Sequence, residues 1–113
     1  MADIILLRAE ALASNGIGRV AEAKELLNKV RRRAYAYEYT GNGNIQDTIL
    51  LERKKELIGE GQYFFDLVRT RKLPKDSKIT NGDWFERGAW LLPINQAILA
   101  QSNFVITQNE YWK

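Results

Sequence analysis

Glu52, Glu56 and Glu60 recur at intervals of four, which on a helix lines three carboxylates along one face, with Arg53 and, further on, Asp66 and Arg69 close by. Paired carboxylates are the usual tools of glycoside hydrolysis, but that chemistry needs them opposed across a sugar at roughly 5–10 Å. A row along a single helix does not supply this. Its simpler reading is an ion-pair network: Glu52, Arg53, Glu56, Glu60, Asp66 and Arg69, with Lys54 and Lys55, dock one helix on the next. The chain has no histidine and no cysteine, so the commonest general base, the commonest metal ligand and all thiol chemistry are missing. Only oxygen donors remain, and no calcium-loop spacing is present. The expectation is no catalytic residue, no metal and no cofactor.

The glycine-bearing segments Asn15-Gly16-Ile17-Gly18 and Gly41-Asn42-Gly43 lack the lysine and spacing of a phosphate-binding loop and follow no strand. They read as helix stops and turns. The aromatic residues are more suggestive. Trp84, Phe85, Trp90, Tyr111 and Trp112 crowd a short, irregular stretch. Flat rings pack cores and also stack on the C–H faces of sugars. Packing is the commoner use, and Trp84 and Phe85 are the candidates for contact with a carbohydrate. Tyr35, Tyr37 and Tyr39 alternate, so they share a face in an extended chain or line the end of a helix.

The elements that must position these residues follow from periodicity. Residues 3–14 form a helix that Asp3 can cap, apolar nearly all round and therefore buried on more than one side. Residues 19–34 form a second helix with a seam of Val20, Ala23, Leu27, Val30 and Ala34, and Asn28 falls outside that seam. A turn around Gly16-Ile17-Gly18 makes the two antiparallel neighbours. After a loop at 40–44, Asn44 opens a third helix over 45–59 with Leu50, Leu57 and Ile58 on its apolar face. A fourth spans 62–71 and stops before Leu73-Pro74. Asn81-Gly82-Asp83 signals a turn, Pro93 keeps 90–94 extended, and Asn95 caps a short helix to about residue 101.

The chain has 113 residues, 45% of them hydrophobic, and a net charge of +3, which suits one folded domain and excludes a disordered tail. Arg31-Arg32-Arg33 is the only dense basic cluster, too little for a nucleic-acid partner. No stretch approaches the ~20 apolar residues that span a bilayer, and the start has no secretory signal.

Three blocks together resemble the SusD/RagB family. They are residues 2–12 (ADIILLRAEAL) with 21–23 (AEA) and 26–34 (LLNKVRRRA); 49–57 (ILLERKKEL) with Glu60-Gly61 and then 65–70 (FDLVRT); and 91–94 (LLPI) with 107–109 (TQN). They occur in the family's order and cover nearly the whole chain. The resemblance implies an all-α fold: a tetratricopeptide-like antiparallel helix hairpin over 3–34, a helix pair over 45–72, and an irregular, aromatic-rich tail with a short helix over 73–113. It implies that residues 1–113 are the carboxy-terminal region of a larger lipoprotein on the outer face of the outer membrane. Such proteins bind a glycan or other nutrient, are not enzymes, and work with a SusC-like TonB-dependent transporter. Signal peptide and lipid-bearing cysteine are not in this chain. Asn95 replaces the family's usual proline, Tyr63 stands where tryptophan or arginine is common nearby, and Asn109-Glu110-Tyr111-Trp112 replaces Asn-Pro-Gly-Tyr. No binding residue carries over, because the family's ligand contacts lie mostly upstream. A free-standing helical-repeat interaction module is the alternative. Apolar surface left by a missing neighbour would favour self-association of the isolated piece.

Overall fold

The computed structural model describes residues 1–14, 18–73, 82–103 and 105–113. Among these the regular structure is entirely helical: α1 (Ala2–Ala13), α2 (Val20–Arg33), α3 (Ile45–Glu56), α4 (Gln62–Arg69), α5 (Gly82–Glu86), α6 (Gln96–Gln101) and a 3₁₀ turn at Glu110–Trp112. The chain divides into two compact units, Met1–Tyr63 and Phe64–Lys113. The expected stop at Asn15-Gly16-Ile17, Pro74 and Asn81 lie outside the described residues.

The first unit is a helix hairpin with a third helix packed on both of its arms. Ala2, Leu6 and Ala9 repeat at intervals of four and three on α1, so they share one face and all are buried. They meet Leu27 and Val30 of α2, Ile49 of α3 and Tyr39 from the returning loop. Leu6, Ala9, Leu27 and Ile49 are wholly removed from water. Complete burial of a Leu or Ile side chain is worth about 1.5–3 kcal/mol, so this cluster holds the unit together. Outside it, α1 leaves Ile4 and Leu7 exposed.

Asp3 does not cap α1. The helix starts one residue earlier with no side-chain cap, and the Asp3 carboxylate instead meets Arg53 Nη1 at 2.5 Å. Arg53 is 3% exposed, and a buried guanidinium needs an anion, which outweighs a terminal cap. At α3, Asn44 does cap, its Oδ1 accepting from the backbone N–H groups of Gln46 and Asp47. That helix ends at Glu56 rather than 59, with Gly59 and Gly61 both at positive φ, and Ile58 faces solvent. The sides of α3 that are buried carry Ile49, Leu50, Glu52 and Arg53.

Asn28, expected outside the seam of α2, is 2% exposed. Its amide grips the backbone of Tyr39: Asn28 Oδ1 accepts from the Tyr39 N–H at 2.7 Å and Nδ2 donates to the Tyr39 carbonyl at 3.1 Å. One side chain thus replaces a strand partner for the returning loop, and the Tyr39 hydroxyl donates to the Gly43 carbonyl. Of the three alternating tyrosines only Tyr39 is buried; Tyr35 and Tyr37 stand 98% and 94% exposed. Tyr35 occupies the left-handed position that closes α2, with its N–H bonded to Arg32 O and that of Ala36 to Arg31 O. This is the Schellman closure that glycine usually provides.

In the second unit the helices are short. Residues 82–86 are helical although Asn81-Gly82-Asp83 reads as a turn, and α5 closes on Gly88 at φ +81. The Gly88 N–H bonds Phe85 O and the Ala89 N–H bonds Trp84 O, which folds the chain back beneath the helix. Asn95 caps α6 as its sequence implies, accepting from the Ala97 N–H.

Candidate functional site

The carboxylates of α3 face cations. Glu52 lies 3.8 Å from Arg31 Nε of α2, and Glu56 pairs with Arg33 of the same helix. Arg53 reaches across to α1, bonding both the carboxylate and the carbonyl of Asp3. These pairs bind α3 to the two arms of the hairpin. Glu60 is exposed in the turn after α3. In the second unit, Asp66 is buried and accepts from Arg69 Nε at 2.9 Å, one turn along α4. Among the described residues no group of three or more acidic side chains is close enough to hold a metal ion, and no helix is long and apolar enough to cross a membrane.

Trp84 and Phe85 sit side by side on α5 but in different surroundings. Phe85 is 8% exposed. Trp90 stacks beside its ring with centroids 6.1 Å apart, and the Arg71 guanidinium lies 5.9 Å from its centroid. Arg71 is itself in the left-handed region, closing α4, and pairs with Glu86. Phe85 therefore forms the floor of a cavity of about 680 Å³ whose rim includes Arg69, Arg71, Glu86, Arg87 and Glu110. Trp84 is partly exposed and leans on Tyr111, 6.3 Å away, and Arg87 lies over the same tyrosine ring at 5.3 Å. Glu110, beside that cluster, has its carboxyl held below the usual range, chiefly by a hydrogen bond from Lys113 and further by the charges of Lys113 and Arg87.

A second cavity, of about 520 Å³, opens between the 91–96 segment and the chain end. Its walls are fastened by side chains acting in place of a sheet. Gln108 Oε1 accepts from the Ile94 N–H and Gln108 Nε2 donates to the Ile94 carbonyl, both at 2.9 Å. Asn109 Nδ2 donates to Leu92 O, and the Trp112 indole N–H donates to Leu91 O at 2.7 Å. The backbone groups of residues 91, 92 and 94 thereby find partners that a neighbouring strand would otherwise supply. Pro93, Ile94, Asn95, Gln96, Gln108 and Trp112 line the space.

Sequence reasoning places Trp112 among the aromatic residues of interest but not Asn95, Gln96 or Gln108 as lining groups. Amide side chains are ordinary on any solvated surface. The spacing Leu-Leu-Pro-Ile followed by Thr-Gln-Asn was the only signal available, and its use as a clasp appears in three dimensions alone.

Comparison with known proteins gives a consistent answer. The SusD family model matches residues 1–112. SusD-like protein P38 of Formosa agariphila is 38% identical, over 80% of this chain. The chain spans 20% of that protein's length. No solved structure matches the chain.

Proposed function

The chain belongs to the SusD family, and from that premise we propose that it is the carboxy-terminal scaffold region of a larger, non-catalytic cell-surface lipoprotein that binds a glycan or other nutrient. In this reading the full-length protein sits on the outer face of the outer membrane beside a SusC-like TonB-dependent transporter. The observation that carries it is the family match over residues 1–112 in a chain that spans only 20% of its curated relative. The arrangement of charges agrees with a scaffold: Glu52, Arg53 and Glu56 are engaged with α1 and α2, and Asp66 with Arg69 inside α4. We read all six residues of the acidic–basic set, Glu60 included, as structural. Trp84 and Phe85 remain candidates for sugar contact, with Trp84 the better placed because its ring is exposed.

Two measurements on the full-length protein test the proposal. It should retain one or more polysaccharides on a glycan array, and it should co-purify from outer membranes with a TonB-dependent transporter. Retention of no glycan or nutrient, together with no transporter, contradicts it. The second reading, a free-standing helical-repeat interaction module, is favoured by the full exposure of Tyr35 and Tyr37, since tyrosine is enriched at protein interfaces. A natural reading frame of only 113 residues would support that alternative.

A further inference from the structure

We infer that the pocket beside Trp112 is a subsite for an uncharged saccharide ring. The inference rests on the nutrient-binding reading above and adds to it a place on this chain and a ligand class.

A sugar ring without acidic substituents offers two kinds of surface. Its faces are C–H groups, and its rim is a circle of hydroxyls, each both donor and acceptor. The matching site needs an aromatic face for the first and uncharged groups of mixed donor and acceptor character for the second. Amides serve this better than ions, because they surrender far less hydration when a ligand covers them. The pocket has that composition. Among the described residues its lining carries no charged side chain: it is Pro93, Ile94, Trp112 and the amides of Asn95, Gln96 and Gln108. Its volume of about 520 Å³ falls within the range usual for small-molecule sites, about 300–1,000 Å³.

The groups are also held ready. The Trp112 indole N–H is spent on the Leu91 carbonyl, which fixes the ring while 42% of the residue stays exposed. Gln108 is locked in place by its paired bonds to Ile94 and accepts in addition from the Asn109 N–H. Asn95 spends its Oδ1 on the Ala97 N–H, which leaves the Nδ2 protons directed elsewhere. Gln96 is exposed, its amide open to a ligand. A site whose rotamers are fixed before binding pays less ordering entropy when the ligand arrives.

The larger cavity in the same unit fits a sugar less well. Its aromatic floor is covered by Trp90 and Arg71, and its arginines are engaged: Arg69 with Asp66, Arg71 with Glu86, Arg87 with the Tyr111 ring. A ligand there would have to displace contacts that already exist.

The test uses full-length protein labelled with 5-fluorotryptophan. The Trp112 fluorine line is assigned by its loss in Trp112→Phe, and neutral hexaoses of glucose, mannose and xylose are titrated in, with oligogalacturonate as the acidic control. The expected result is a saturable shift of the Trp112 line with at least one neutral hexaose and none with oligogalacturonate. Gln96→Ala, at an exposed position that leaves the fold intact, should weaken that titration roughly fivefold. A Trp112 line that stays still while a glycan array shows retention overturns the subsite and leaves the functional reading standing. A shift with oligogalacturonate alone overturns the ligand class. Failure to retain any glycan or nutrient at all defeats the functional reading and this inference together.

Discussion

The two units solve the same problem with different means. In Met1–Tyr63, helices of 12, 14 and 12 residues bring whole faces together, and Leu6, Leu27, Ile49 and Val30 disappear from solvent. In Phe64–Lys113 the described helices, of 8 (from Gln62), 5 and 6 residues, are too short to present an extended stripe. Their best-buried apolar residues, among those described, are Leu67, Leu73, Phe85 and Leu99, none of them fully covered. Among the described residues, the place of an extended core is taken by a set of polar fastenings between side chain and backbone. The first unit lays such devices over its core, Asn28 on Tyr39, Gln46 on Ala13 and Arg53 on Asp3; the second has Gln108 on Ile94, Asn109 on Leu92 and Trp112 on Leu91. The same amide clasp is thus an addition to a core in one unit and a substitute for one in the other. A region pinned by polar contacts at its rim keeps its surfaces accessible, which is where a ligand pocket belongs.

The largest expected effect breaks the clasp that is buried. Asn28→Ala leaves the Tyr39 N–H and carbonyl without partners in a dry place, and should cost about 2–3 kcal/mol of stability by urea unfolding. Gln108→Ala removes an equivalent pair of bonds, but at a half-buried position that water can reach. It should cost about 1 kcal/mol, with the loss appearing in the second unit. Equal costs for the two variants would remove the distinction between the units. Smaller again, and of opposite sign, is Tyr35→Gly. Tyr35 holds φ +54 with its ring in solvent, so relief of the left-handed strain should stabilise by about 0.5 kcal/mol, net of glycine's greater freedom in the unfolded chain. A drop in melting temperature would show that the ring has a packing role.

The smallest effect concerns Glu110. Lys113→Ala removes the main cause of its lowered carboxyl, so the Glu110 titration, followed by NMR, should move up toward the ordinary glutamate range. A carboxyl lowered on folding lends stability above its unfolded value and loses it as pH falls through the lowered folded value. This one is fully exposed, so the titration should shift with no measurable change in stability, and an unmoved titration would refute the pairing with Lys113.

Local signals carried much of the first unit. The seam of α2 holds at Ala23, Leu27 and Val30, and both asparagine caps, Asn44 and Asn95, stand where their side chains imply. What escaped local reading was decided at long range. Asp3 looks like a cap until Arg53 arrives from 50 residues away. Asn28 looks like a surface residue until the Tyr39 segment crosses it, a contact that helical periodicity does not encode. Residues 82–86 carry a turn signal and form a helix instead. The pocket beside Trp112 was legible only as an excess of aromatic residues. Its amides acquire meaning from the return of the 107–112 segment along 91–96, and nothing in their type distinguishes them from solvated side chains.

On the proposals above, the helix trio is scaffold and the rim of the second unit meets the ligand. The decisive experiment is hydrogen exchange on the full-length protein, with and without the neutral hexaose it retains best. Added protection is expected within residues 91–96 and 108–112, above all at the Ile94 amide, with α1, α2 and α3 unchanged. Ligand-dependent protection centred on α1, α2 or α3, or none anywhere in 91–112 with the glycan bound, would contradict those proposals.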